Sequence, residues 1–194
     1  MAFVCTVPAG EATGLARQQY DADLKELGYV RNLTSALSLR PEATAAWMNL
    51  VKAIRGVMDL RRYELVTLAA ARAQRSSYCC LAHGQVLREK FFTADQVVAI
   101  VRDRRSAGLS PTDVAVMDFA EKVTQEAHAV TAEDVDVLRR HGLSDADIVD
   151  VALAAAARNF FSRLLDALGA APDGAYRALP EPMRGALTVG RAIE

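Results

Sequence analysis

Long apolar runs are missing from this sequence. None reaches the roughly 20 residues a helix needs to cross a bilayer, so no membrane-spanning segment is expected. A surplus of either charge is missing too. With 23 Lys and Arg against 24 Asp and Glu, the formal net charge is -1, which gives no general attraction to nucleic acid or an anionic membrane. Glycine and proline are modest at 11 and 6, against a fibrous or disordered chain. Cysteine is scarcer still: Cys5, Cys79 and Cys80 cannot build a disulfide framework, and the adjacent pair cannot bridge without strain. Reduced thiols in a reducing compartment are the simpler reading, with Cys5 a small buried structural residue. A four-thiolate zinc site is excluded, and His83, His128 and His141 are the only imidazoles, so neither metal nor cofactor is expected. The opening stretch MAFVCTVPAGEATG lacks a basic segment followed by a sustained apolar one. It does not read as a secretory signal, and the cytoplasm is the expected location.

What is present is alanine, leucine and charge. In 194 residues, 52% hydrophobic content suits one compact domain or two small halves sharing a core. Sustained strand-like alternation is absent, while helix starts are legible. Thr93 with Gln96, Thr131 with Asp134, and Ser144 with Asp147 have the spacing that satisfies free N–H groups in a first turn. Pro41 and Ser110-Pro111 suit first-turn positions, and Gly108, Gly142 and Gly169 suit helix ends. The pattern predicts an all-α chain with helices at about 41–56, 60–75, 77–90, 94–105, 111–127, 132–141 and 145–168. The first 35 residues read as a peripheral arm or short helices, and the tail after Pro172 as irregular.

One segment echoes another. VTLAAARAQRSSYCCLAHG, residues 66–84, lies without gaps over VALAAAARNFFSRLLDALG, residues 151–169, matching Val66 to Val151, Leu68 to Leu153 and Gly84 to Gly169. Alanine-rich helices match easily by chance, and the echo suggests two related helical halves.

The densest chemistry is Ser76-Ser77-Tyr78-Cys79-Cys80-Leu81-Ala82-His83. If Ser76 caps the helix that follows, Cys79 falls in its first turn, where unpaired N–H groups and the positive helix end favour a thiolate. His83, four residues on, shares that face and can take the thiol proton. A tight turn from the preceding helix would bring Glu64 to orient the imidazole. Other roles remain open: a cysteine among alanines is often a small buried hydrophobe, Glu64 can pair with Arg61, and Tyr78 can serve packing alone. Cys80 lies about 100 degrees around the helix from Cys79, so the thiols need not share a cavity. Arg158, Asn159, Phe160, Phe161 and Arg163 read as a packing segment, and Trp47 as core or interface.

Glu64 to His83, ELVTLAAARAQRSSYCCLAH, resembles the conserved region of the alkylhydroperoxidase D-like, or carboxymuconolactone decarboxylase-like, superfamily. With LSLRPE, HAVTAEDV, GLSD and ALAAAARNFFSRL it is similar to the uncharacterised peroxidase-related branch, over roughly residues 25–170. The resemblance implies an all-α alkylhydroperoxidase D-like domain over 36–170, between an arm at 1–35 and a tail at 171–194. Redox members carry a glutamate and a Cys-x-x-Cys-x-x-x-His pattern. That pattern implies Cys79 as attacking cysteine, His83 and Glu64 as its partners, and Ser76 where the resolving cysteine would stand. Tyr78 replaces a histidine often found there, and Cys80 is an extra thiol outside the pattern.

The implied activity is a thiol-dependent peroxidase acting on small organic hydroperoxides or hydrogen peroxide. An external thiol or protein reductant completes the cycle, and the implied assembly is a homo-oligomer, trimer or hexamer. Nucleic acid and membrane are not expected partners. The alternatives are a carboxymuconolactone decarboxylase-like enzyme and a non-enzymatic redox sensor or interaction protein.

Overall fold

Residues 63–71 are buried without interruption, so the helix that carries them has no solvent face. A computed structural model describes residues 2–194. Among them the chain forms α1 (Gly14–Leu27), α2 (Asn32–Ala36), α3 (Pro41–Val57), α4 (Leu60–Ala73), α5 (Ser77–Lys90), α6 (Ala94–Arg102), α7 (Pro111–Glu126), α8 (Ala132–Arg140), α9 (Asp145–Ala167) and α10 (Glu181–Leu187). There are short 3-10 turns at Ala127–Ala129 and Gly174–Ala178 and no strand among the described residues. The enclosed helix is α4, packed by α5, α7 and α9. Ala69, Ala70 and Ala71 on α4 and Ala154 and Ala155 on α9 are all buried, and their small side chains let the backbones approach. Among the described residues no helix is long and apolar enough to cross a membrane.

Helix ends follow local chemistry. Thr93, Thr131 and Ser144 each form the reciprocal capping box, and Ser110 caps α7 ahead of Pro111. Gly142 and Gly169 close α8 and α9 at φ 85° and 74°, in the left-handed region open to glycine. Helix α6 stops at Arg102, short of Gly108.

Two expectations change. The tail is not irregular: beyond its 3-10 turn, α10 buries Met183 and Leu187 against α5 and α6. Cys5 is exposed rather than buried, because the arm holding it runs along the surface, with the Phe3 N–H donating to Leu168 O at 2.7 Å. The echoing segments differ in shape, as their predicted helices already did. Residues 66–84 break at 74–76 between two helices, whereas 151–167 run as one unbroken helix.

Candidate active site

The break at 74–76 sets where Glu64, Cys79 and His83 stand relative to one another. Arg75 takes φ 60°, a left-handed conformation costing about 1–2 kcal/mol in a non-glycine residue. It closes α4 much as glycine closes α9: the Ser76 N–H reaches back to Ala71 O at 3.0 Å. The C-terminal segment holds this turn, since Arg75 Nε donates to Val189 O at 3.2 Å and the Gly190 N–H donates to Ser77 Oγ at 2.8 Å. Gly190 is required there, because a Cβ on it would stand 2.0 Å from Arg75 O.

Ser76 occupies the N-cap position of α5 but makes no side-chain cap hydrogen bond. Cys79 is the third residue of that helix and is buried at 2% exposure. The backbone N–H of Cys80 is the first to close an intrahelical bond, to Ser76 O. The free N–H groups therefore precede it, at the turn bearing Cys79.

Glu64 and His83 meet across the α4–α5 pair. The His83 Nδ1–H donates to Glu64 Oε2 at 2.6 Å, with Glu64 2% exposed. Burial, followed by the positive charge of Arg158, pushes the imidazole below its ordinary pKa despite Glu64. The neutral ring that donates through Nδ1 keeps Nε2 as a proton acceptor. The Tyr63 ring meets His83 edge-on at 6.2 Å. Arg61 pairs with Asp113 rather than Glu64, leaving Glu64 to His83 and, at 3.9 Å, Arg55.

No hydrogen bond joins Cys79 to His83 among the described residues; the group on the sulfur is Arg158. Its Nη1–H donates to Cys79 Sγ at 3.4 Å. Arg158 is 6% exposed, with its guanidinium 5.8 Å from both the Trp47 and Phe161 ring centres. Burial opposes its charge, but Cys79 and Tyr63 more than compensate and raise its pKa. A guanidinium held this way stabilises negative charge on sulfur.

Sequence reasoning gave Arg158 to packing. The signal was present: α9 buries Ile148, Val151, Ala154, Ala155, Arg158, Phe161 and Leu165, an i, i+3, i+4 stripe with one full charge on it.

The remaining candidates sit apart from this chemistry. The Tyr78 hydroxyl donates to Asp173 at 2.5 Å and accepts from the Leu33 N–H at 3.4 Å, tying α5 to the two ends of the chain. Burial and then Asp173 push its pKa up, which keeps it a donor. Cys80 is buried, and burial followed by neighbouring Cys79 pushes its thiol up as well. Both cysteines are free. No cluster of His, Cys, Asp and Glu among the described residues could hold a metal ion. A cleft of about 970 Å³ between α1, α3 and α9 ends on Arg158 and Phe161.

A buried cysteine in contact with a buried arginine, and a carboxylate–histidine pair joining α4 and α5, are thus held in one all-α scaffold. Residues 41–122 match the model of the Carboxymuconolactone decarboxylase family. The chain is carboxymuconolactone decarboxylase-like over that segment and alkylhydroperoxidase D-like in fold. It is similar to an uncharacterized peroxidase-related protein with an alkylhydroperoxidase AhpD core from Ralstonia eutropha JMP134, at 25% identity. That match covers 90% of this chain and 96% of that one with a TM-score of 0.76. An uncharacterized peroxidase-related protein from Silicibacter sp. TM1040 has the same fold at 22% identity and a TM-score of 0.77, covering 90% and 95%. So does a variant of the debrominase Bmp8 in complex with 2,3,4-tribromopyrrole, at 18% identity and a TM-score of 0.75, covering 91% and 94%. Among curated proteins nothing matches.

Proposed function

We propose that this protein is a thiol-dependent peroxidase whose nucleophile is Cys79. The observation that supports the reading is the contact of buried Arg158 with Cys79 Sγ, since a cation on a sulfur stabilises the thiolate that attacks peroxide. Arg158 holds the negative sulfur, Glu64 orients His83, and His83 Nε2 carries the proton that ends on the leaving alkoxide. Attack leaves Cys79 as a sulfenic acid. Ser76 offers no thiol to resolve it, so an external thiol or protein reductant does so.

The chain works as a homo-oligomer on this reading, supported by exposed Val149, Leu153 and Phe160 on one side of α9. Sedimentation equilibrium that finds only monomer removes that part.

Rapid-quench intact mass spectrometry of the reduced protein mixed with an organic hydroperoxide, followed by peptide mapping, tests the activity. The expected result is fast, pH-dependent sulfenic acid at Cys79. Oxidation no faster than that of free cysteine ends the proposal.

A further inference from the structure

The cleft that ends at Arg158 carries positive charge with little to oppose it. Its carboxylate, Asp23, is taken up by Arg31, accepting from the backbone N–H at 3.0 Å, Nε at 2.8 Å and Nη2 at 2.5 Å. Lys52 is exposed at the mouth and has no hydrogen-bond or ion-pair partner among the described residues. Arg55, one turn along the same face of α3, comes no nearer than 3.9 Å to Glu64, whose other oxygen His83 occupies. Deep in the cleft, buried Arg158 has an Nε–H with no acceptor among the described residues. A buried donor left that way costs about 1–3 kcal/mol, which a polar ligand recovers. The rest of the wall is largely apolar, with Leu15, Leu33, Trp47, Met48, Val51 and Phe161. An apolar trough with cations at its mouth and a hydrogen-bond donor at its floor fits an amphiphilic anion.

We infer that the cleft selects hydroperoxides bearing a carboxylate on an apolar body, the class of peroxidised fatty and aryl-alkyl acids. The carboxylate sits at Lys52 and Arg55, and the peroxide end meets Arg158 beside Cys79. This assignment rests on the thiol-peroxidase reading. The Cys79 sulfur attacks the terminal oxygen of R–O–OH, forming an S–O bond as the O–O bond breaks. Sulfur gives up two electrons, and the departing alkoxide takes the proton the thiol has lost, leaving Cys79 sulfenic acid and R–OH. One external thiol then forms a mixed disulfide with release of water, and a second displaces Cys79 and leaves as the disulfide of the two.

Trp47 is the only tryptophan and lines the cleft, so its fluorescence reports occupancy without turnover. The reduced full-length protein is titrated with octanoate and with 1-octanol. Separately, Cys79 oxidation is timed with linoleic acid hydroperoxide and with its methyl ester. The expected result is a saturable response at a concentration at least tenfold lower for octanoate, and at least tenfold faster oxidation by the acid. The double variant Lys52→Met, Arg55→Met should lose both preferences while still responding to octanol, which shows that its cleft is intact. Equal responses in the wild type, or preferences that survive in the double variant, overturn the inference while leaving the peroxidase reading in place. Selective octanoate binding with Cys79 inert to both peroxides overturns that reading, and the hydroperoxide assignment with it.

Discussion

Replacing Arg158 by methionine keeps most of the buried volume and removes the guanidinium that donates to Cys79 Sγ at 3.4 Å. A hydrogen bond to a charged group contributes about 1.5–3 kcal/mol. At about 1.4 kcal/mol per factor of ten, losing that stabilisation of negative charge on sulfur corresponds to a factor of about 10 to 150. A sulfur relieved of that hydrogen bond is also a better nucleophile. With a Brønsted coefficient of about 0.4–0.5, nearly half of the loss on a logarithmic scale is recovered. Cys79 oxidation near pH 7 should therefore slow about 4- to 20-fold, with a smaller deficit at higher pH. Arg158→Lys, which keeps a charge but not the planar fork, should fall between the two. Quench-flow mass spectrometry from pH 6 to 10 on variants that unfold as cooperatively as the wild type reads this directly. Equal rates near pH 7 would refute the role given to Arg158. A uniform loss at every pH would mean that the substitution had only damaged the site.

Glu64→Ala deprives the His83 Nδ1–H of its acceptor at a buried position. About 1–3 kcal/mol of stability should go, lowering the thermal midpoint by about 2–12 °C, and an unchanged midpoint would contradict the pairing. The pH dependence of stability follows from His83, whose folded pKa is depressed by burial and Arg158. The unfolded imidazole takes its proton near pH 6.5 and the folded one lower, so the unfolded state binds more protons between the two values. The stability His83 contributes is thus complete above about pH 6.5 and is lost as pH falls towards the folded value. Urea denaturation between pH 7.5 and 5 should be visibly flatter for His83→Gln, and identical slopes would count against a buried neutral imidazole. Gly190→Ala drives a Cβ into Arg75 O, so the C-terminal segment should detach from the α4–α5 turn. Limited proteolysis should then remove the tail faster than in the wild type.

Legibility in the sequence followed the reach of the forces involved. The starts of α6, α7, α8 and α9 could be read because Thr93, Ser110, Thr131 and Ser144 act on N–H groups within three residues of themselves. The Glu64–His83 contact was legible because so short a connection forces its two helices to lie side by side. Arg158 was not, since its meaning depends on a long side chain of α9 reaching the first turn of α5, a long-range packing event with no local signature in the sequence. Helix α10 escaped for the same reason. Its seven residues are too few to be helical alone, and it forms because Met183 and Leu187 find α5 and α6. Cys5 was judged by residue type, which cannot register that its segment lies on the surface.

Only Gln74, Arg75 and Ser76 separate the helix of Glu64 from that of Cys79 and His83. One residue gained or lost there would turn α5 by about 100 degrees, carrying the cysteine off Arg158 and the histidine off the carboxylate together. The length of this joint is therefore constrained far more tightly than its spelling. Along a lineage that retained the chemistry, substitutions could accumulate at Gln74 and Arg75, whose side chains are not deeply buried, while insertions and deletions would be purged.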